Sequence, residues 1–239
     1  MTSIDISARN AKPFHEIYES RWLQGYVRSK IATDPVYRGV WNRVGSRNNP
    51  LLDLGCGVGV LAFYLRERGW QAPITGIDTD LPKIEAARSV AVGRYEGLHF
   101  EVGNALDSLR GFRGDVVMLD LLHYLADDDQ DLLIRRATEA AAGGGMILIR
   151  DCLREPGWRF ALTSLGERFA RAIHWLNVPM LNFPSRDRIV GTLQACGFKV
   201  EVEPMWGRTP FNNYLITATS APGQAVAAKS SDHQNDVMA

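Results

Sequence analysis

Apolar positions along this chain follow two rhythms. From Phe14 to about Ile31 they recur three and four residues apart (Phe14, Ile17, Tyr18, Trp22, Tyr26, Val27, Ile31), which predicts one amphipathic helix. Asp34-Pro35 then offers an N-cap followed by a proline in a first turn, predicting a second helix to about Val44. From residue 51 onward, short apolar runs alternate with helical patterns. Strands are predicted over 51–54, 74–78, 98–103, 115–120 and 146–150, and helices over 60–69, 80–93 and 127–142. Asp80 is the expected cap of the second of these helices, and Asp127 with Gln130 stand at capping-box spacing at the start of the third.

After residue 150 the rhythm changes. Residues 157–176 read as one long amphipathic helix carrying Trp158, Phe160, Phe169 and Trp175, and 185–196 as another helix, stopped by Gly197. Two last strands, over 198–203 and 213–219, are joined by a short loop and must run antiparallel. Residues 1–12 look loose, and residues 220–239, small and polar without periodicity, read as a disordered tail. Alternating strands and helices predict an α/β fold, a doubly wound, mostly parallel seven-stranded sheet with its last strand reversed. The divisions expected are a helical cap over 1–46, a sheet-bearing portion over 47–219 and the tail.

Composition narrows this picture. With 239 residues, 46% of them hydrophobic, the chain can build a core that needs no staples. Its 27 basic and 27 acidic residues cancel, which argues against a generic polyanion binder and so against a nucleic-acid partner. The densest basic stretch, Arg21 to Lys30, reads as a solvated helix face. Cys56, Cys152 and Cys196 are far apart, without metal-ligand spacing, and suit a reducing, cytoplasmic setting. No apolar run approaches the roughly 18 residues of a membrane span.

The chemistry is concentrated in the run Leu51-Leu52-Asp53-Leu54-Gly55-Cys56-Gly57-Val58-Gly59-Val60 and its sequel Gly76-Ile77-Asp78. An apolar strand enters a glycine turn, a helix follows, and a second strand ends in a carboxylate. That order fits a nucleoside-bearing cofactor. A dinucleotide fingerprint would need glycine where Val60 stands, and the loop has no basic residue to neutralise a pyrophosphate. Both features favour S-adenosylmethionine over NAD. Gly55 and Gly57 would let the backbone approach the cofactor, Asp78 would accept from the ribose hydroxyls, and Asp53 would orient the loop or reach, through water, the methionine ammonium. Cys56 reads as a small packing residue.

The layout resembles the class I S-adenosylmethionine-dependent methyltransferases over about residues 50–219. Five blocks carry the resemblance: the glycine loop; Asp78 with Thr79 beside it; Phe100-Glu101-Val102-Gly103-Asn104-Ala105; Asp115 to Asp120 with Leu121-Leu122-His123-Tyr124-Leu125; and Gly143-Gly144-Gly145 leading into Met146–Arg150. The resemblance implies methyl transfer to a small, hydrophobic or aromatic acceptor at oxygen or carbon. It implies adenine contacts from the Asn104 side chain and the Ala105 N–H, and methionine contacts from the Asp120 and Leu121 backbone. It also makes the first two helices a cap in which Tyr18, Arg21, Tyr26 and Arg28 either touch ligands or only pack. More loosely, the chain is similar to bacterial methyltransferases associated with aryl-polyene and related lipid-pigment biosynthesis.

His123 is the candidate general base, since it follows strand four at the ligand-binding edge and its ordinary pKa lies near neutrality. A structural or pocket-lining histidine is the competing reading. Tyr124 is expected in the core. Arg150-Asp151 is read either as ion-paired or as substrate-positioning. His174 and the loop residues Trp206, Arg208, Thr209, Phe211 and Asn212 are further candidates. The 155–196 region, with Leu181 and Phe183, either covers the acceptor or packs on the sheet. An NAD-dependent oxidoreductase and a non-catalytic cofactor-binding scaffold are the alternative functions.

Overall fold

The computed structural model describes residues 12–155, 181–207 and 212–220. Residues 1–11 of the loose start, the helix expected over 157–176 with its aromatics and His174, the loop residues Arg208, Thr209 and Phe211, and residues 221–239 of the expected tail lie outside them, while Ser220 closes the last strand.

Seven strands form one sheet: β1 (Leu51–Leu54), β2 (Ile74–Asp78), β3 (Leu98–Val102), β4 (Asp115–Leu119), β5 (Met146–Cys152), β6 (Phe198–Pro204) and β7 (Asn213–Ser220). Their order is β3-β2-β1-β4-β5-β7-β6. β1 to β5 are parallel, and β7 runs antiparallel to both of its neighbours, as its short connection requires. The helices are α1 (Arg21–Thr33), α2 (Val36–Val44), α3 (Val60–Glu67), α4 (Leu81–Ala91), α5 (Asp127–Ala140) and α6 (Arg186–Ala195).

The central strands are buried on both faces, so their alternation sorts apolar residues into two cores rather than into core and solvent. Leu51, Val117 and Leu148 join Val40, Phe63 and Ile84 beneath α2, α3 and α4. Leu52, Leu54, Val116, Met118, Ile147 and Ile149 join Leu133, Ile134 and Leu193 beneath α5 and α6. Each such side chain contributes about 1.5–3 kcal/mol by leaving water.

Three local expectations are corrected. The helix expected from Phe14 is broken. Phe14–Glu16 is a 3-10 turn, and α1 begins only at Arg21 with Ser20 as its cap. Tyr18, in the break, is buried and donates its hydroxyl to the Val58 carbonyl at 2.7 Å, a bond that holds the chain on the glycine loop. The capping box does not form either. α5 has Ala126 at its N-cap with no side-chain bond. Gln130 instead lies buried with its amide nitrogen 3.1, 3.1 and 2.9 Å from the carbonyls of Leu122, Leu125 and Asn182. Tyr124 is not core, being 37% exposed.

At the amino edge of the sheet, Asp115 is 1% exposed and is the acceptor for four donors. Arg47 reaches it through Nε at 2.8 Å and Nη2 at 2.9 Å, Asn49 at 3.2 Å and the Met146 N–H at 2.9 Å. This cluster joins the chain after α2 to β4 and β5. Asp115→Ala leaves the guanidinium and two further donors without their acceptor. It should lower unfolding free energy in urea by about 3 kcal/mol or more. A loss under about 1 kcal/mol would mean that the fork is a solvated ion pair.

Candidate active site

The sequence candidates converge on the carboxyl edge of the sheet. β1 enters the loop at Gly55, where the N–H groups of Gly55 and Cys56 donate to the Ile77 carbonyl at 2.8 and 3.0 Å. The loop is thereby pinned to the end of β2. Gly57 has φ +55°, and a Cβ built there would meet no atom within 4 Å, so the backbone faces open space. Its N–H donates to Asp78 Oδ2 at 2.8 Å, while Asp78 Oδ1 accepts from the Asp80 N–H at 2.9 Å. Each carboxylate oxygen keeps acceptor capacity beyond these bonds. Thr79, next along the chain, is exposed.

Asp53 lies in β1 between Gly76 and Val117 and is buried. Burial, with the charge of Asp78 adding to it, pushes its carboxyl up to about 7. Cys56 is inert by the same logic, because burial drives its thiol up and Asp53 and Asp78 add to the effect. Its sulfur fills space beside β2, where a Cβ on Gly76 would come within 2.9 Å of it.

Asn104 and Ala105 follow β3, brought beside Asp78 by the bond from the Gly103 N–H to the Asp78 carbonyl at 3.0 Å. The Asn104 side-chain oxygen accepts from the Leu106 N–H at 2.9 Å, which holds it in a turn.

β4 ends in Asp120, a non-glycine residue at φ +57°. Such a conformation costs an ordinary residue energy and is held here by its neighbours. The Asp120 N–H donates to the Arg150 carbonyl at 2.8 Å. The turn lays Leu121 over Gly55, with its Cδ1 3.2 Å from where a Cβ would sit. The Asp120 carboxylate meets Arg150, and Lys30 lies 3.8 Å away. Burial opposes its ionisation, but these two cations hold its carboxyl below the ordinary range. Arg150 also pairs with Asp34, and Lys30 reaches Asp34 at 3.6 Å. Two cations and two carboxylates thus tie the end of α1 to β4 and β5.

His123 follows in a 3-10 turn over Leu122–Tyr124 and is buried. Its Nδ1 lies 2.7 Å from Asp151 Oδ1. Asp151 is fully buried, and its other oxygen accepts from the Leu122 N–H at 2.9 Å and the His123 N–H at 3.4 Å. The rings of Tyr124 and Phe183 flank the imidazole, with centroids 4.1 and 5.9 Å away. The His123 carbonyl accepts from the Asn182 N–H at 2.8 Å.

Sequence reasoning set Arg150 and Asp151 together. The structure separates them, because consecutive strand residues point to opposite faces. Arg150 joins the α1 cluster and Asp151 joins His123. The missing signal was register: β4 and β5 are parallel neighbours with Leu119 opposite Arg150, which brings the residue after Arg150 to the turn after Leu119. Of the cap candidates, Tyr18 packs, whereas Arg21, Tyr26 and Arg28 are exposed. The loop residues Trp206 and Asn212 flank the undescribed positions 208–211. Asn212 is buried and donates its amide to the Leu153 carbonyl at 3.1 Å.

A family model described as a methyltransferase domain matches residues 46–172. No curated protein matches the chain in sequence. Among solved structures, an O-methyltransferase family protein from Burkholderia thailandensis shares 20% identity at TM-score 0.64, over 83% of this chain and 58% of that one. The chain therefore spans little more than half the length of that protein. A magnesium protoporphyrin IX methyltransferase from Synechocystis with bound SAH shares 16% identity at TM-score 0.62, covering 91% and 96%. A structure on conversion of a disulfide bond into a thioacetal group during echinomycin biosynthesis shares 23% identity at TM-score 0.59, covering 81% and 84%.

The state of Asp53 has a measurable consequence. The folded chain holds a proton up to about pH 7 that an unfolded one releases near the ordinary 3.8. Stability is therefore greatest below the unfolded value and falls by about 1.4 kcal/mol per pH unit until the folded value is passed. Asp53→Asn cannot ionise, so it should raise the thermal midpoint over the parent, more so near pH 8 than near pH 5. An equal shift at both would show that Asp53 ionises freely in the fold.

Proposed function

The chain belongs to the methyltransferase-domain family, and on that premise we propose that it transfers a methyl group from S-adenosylmethionine to a small, hydrophobic or aromatic acceptor, at oxygen or carbon. The observation that carries this reading is the meeting, on one edge of the sheet, of an open glycine cradle, the Asp78 carboxylate and a buried His123–Asp151 pair.

The residues present suit that cofactor. Gly57 leaves open space where any side chain would stand, and residues 55–59 include no cation to meet a phosphate. In this reading Asp78 accepts from the ribose hydroxyls, with Thr79 beside it. Asn104 and the Ala105 N–H face the adenine. The backbone of Gly55, Cys56, Gly57, Asp120 and Leu121 lines the methionine portion, and Asp53 orients the loop or reaches the methionine ammonium through water. When bound, S-adenosylmethionine supplies an electrophilic methyl group on a positively charged sulfur.

His123 is the proton acceptor. Asp151 is an acceptor placed at Nδ1, so the neutral imidazole carries its hydrogen there and its lone pair at Nε2. With an acceptor hydroxyl bound, Nε2 would take the hydroxyl proton, and the paired carboxylate would stabilise the resulting imidazolium. Tyr124 and Phe183 present ring surface beside the imidazole, which suits a flat or apolar acceptor. In this reading the described residues 12–46 cap the cofactor side and the sheet with its helices forms the catalytic unit. The acceptor is a small molecule rather than a nucleic acid, in keeping with the balanced charge. Among the described residues no helix is long and apolar enough to cross a membrane.

Calorimetric titration should show binding of S-adenosylmethionine and S-adenosylhomocysteine but not of NAD. Asp78→Ala should weaken it by at least about 30-fold, the worth of charged hydrogen bonds. Binding of NAD alone would overturn the cofactor assignment.

His123→Ala should leave cofactor affinity unchanged and lower turnover of a phenolic acceptor by about 100-fold or more, with loss of the acidic limb of the pH profile. Activity that persists with the same pH limb would remove His123 from the chemistry.

A further inference from the structure

α1 turns most of its surface outward, and Val27 is its sole buried residue. Arg21, Gln24, Gly25 and Arg28 are spaced at three, four and seven, which sets them on one stripe of the helix. Facing that stripe are His15 and Glu16 from the 3-10 turn and Lys12 just before it. These seven residues line a cleft of about 430 Å³. Gln24 fixes its width by donating to the carbonyls of Glu16 at 3.3 Å and Tyr18 at 2.7 Å. A Cβ at Gly25 would meet no atom within 4 Å, so that side of the helix is open.

The charges in this cleft are uncompensated. Glu16 is its one carboxylate and stands 3.9 Å from His15. Lys12, Arg21 and Arg28 have no carboxylate within 4.0 Å and no side-chain hydrogen bond among the described residues. The contrast is with Lys30, Arg43, Arg47 and Arg150, which all hold acidic partners. Arg21 also opens the first turn of α1, where unpaired N–H groups already present positive charge and no acidic residue offsets them. In a chain whose formal charges cancel, three cations without an acidic partner among the described residues line one concave surface.

We propose that this cleft is an anion-binding site for a small phosphate-bearing ligand. Two guanidinium forks and an ammonium match the oxygens of a phosphate better than a lone carboxylate. The cleft borders the glycine loop, because Tyr18 between its two walls donates to Val58, yet it shares no residue with the positions around Asp78 or His123. The proposal therefore stands apart from the methyl-transfer reading.

The test uses inorganic pyrophosphate as the probe, titrated into the full chain by calorimetry at low salt. Saturable binding at one site is expected, weakened at least tenfold in Arg21→Gln/Arg28→Gln. It should be unchanged in Arg38→Gln/Arg135→Gln, which removes the same charge from exposed positions elsewhere. S-adenosylhomocysteine affinity and the thermal midpoint should match the parent in both doubles. Absent or unsaturable binding, or equal weakening in the two doubles, overturns the proposal. So does a parallel loss of S-adenosylhomocysteine affinity, which would assign the cleft to the cofactor. A parallel arm sediments the chain with vesicles of phosphatidylcholine and phosphatidylglycerol. Sedimentation that needs Arg21 and Arg28, without pyrophosphate binding, would make the ligand a lipid surface and also overturn it.

Discussion

The carboxyl edge of this sheet is organised by the seam between the glycine loop and β2, which the Gly57 N–H closes on the Asp78 carboxylate beside the Gly55 and Cys56 bonds to Ile77. It fixes the glycine loop against the end of β2, and through Gly55 it fixes where Leu121 can lie. From Leu121 the chain proceeds directly to His123. A displacement of the loop would therefore pass from the side that holds a nucleoside to the side that moves a proton. A glycine serves here because its backbone must present an N–H inward while leaving the space outside clear.

Around that seam the edge is rich in carboxylates, and the fold treats each differently. Asp78 takes backbone N–H groups and stays at the surface of the edge. Asp53 has no such relief from burial and holds its proton to about 7. Asp120 is kept ionised by Arg150 and Lys30. Asp151 is buried against an imidazole and backbone donors. Four residues of one chemical type thus sit in four different surroundings, and those of Asp53 and Asp120 push their carboxyls in opposite directions.

The strands were legible in the sequence because short apolar runs of β1, β2 and β4 admit one reading when helices of fixed length separate them. The glycine loop and Asp78 were legible because their spacing is local. What escaped was every contact between distant segments. Gln130 stood at a spacing that suits a cap, and the competing attraction of three carbonyls from two other segments has no signature within the helix. The break after Glu16 escaped because apolar periodicity continues through it, and Tyr18 leaves the helical path for a carbonyl forty residues away. Asp151 and His123 are separated by 28 positions and meet because β4 and β5 are parallel neighbours. Strand order, more than residue type, was the missing information.

The two ends of the stretch between residues 155 and 181 are fastened together. The Arg154 N–H donates to the Pro184 carbonyl at 2.9 Å, its Nε to the Phe183 carbonyl at 3.0 Å, and Asn182 is held by His123 and Gln130. The chain thus departs and returns through a single anchored gateway beside the imidazole. Loop-closure entropy changes by only about 0.6 kcal/mol for each doubling of length. A change of length between those posts therefore costs little in chain entropy. The imidazole thus borrows its rigidity from a hasp of backbone, closed by residues distant in sequence.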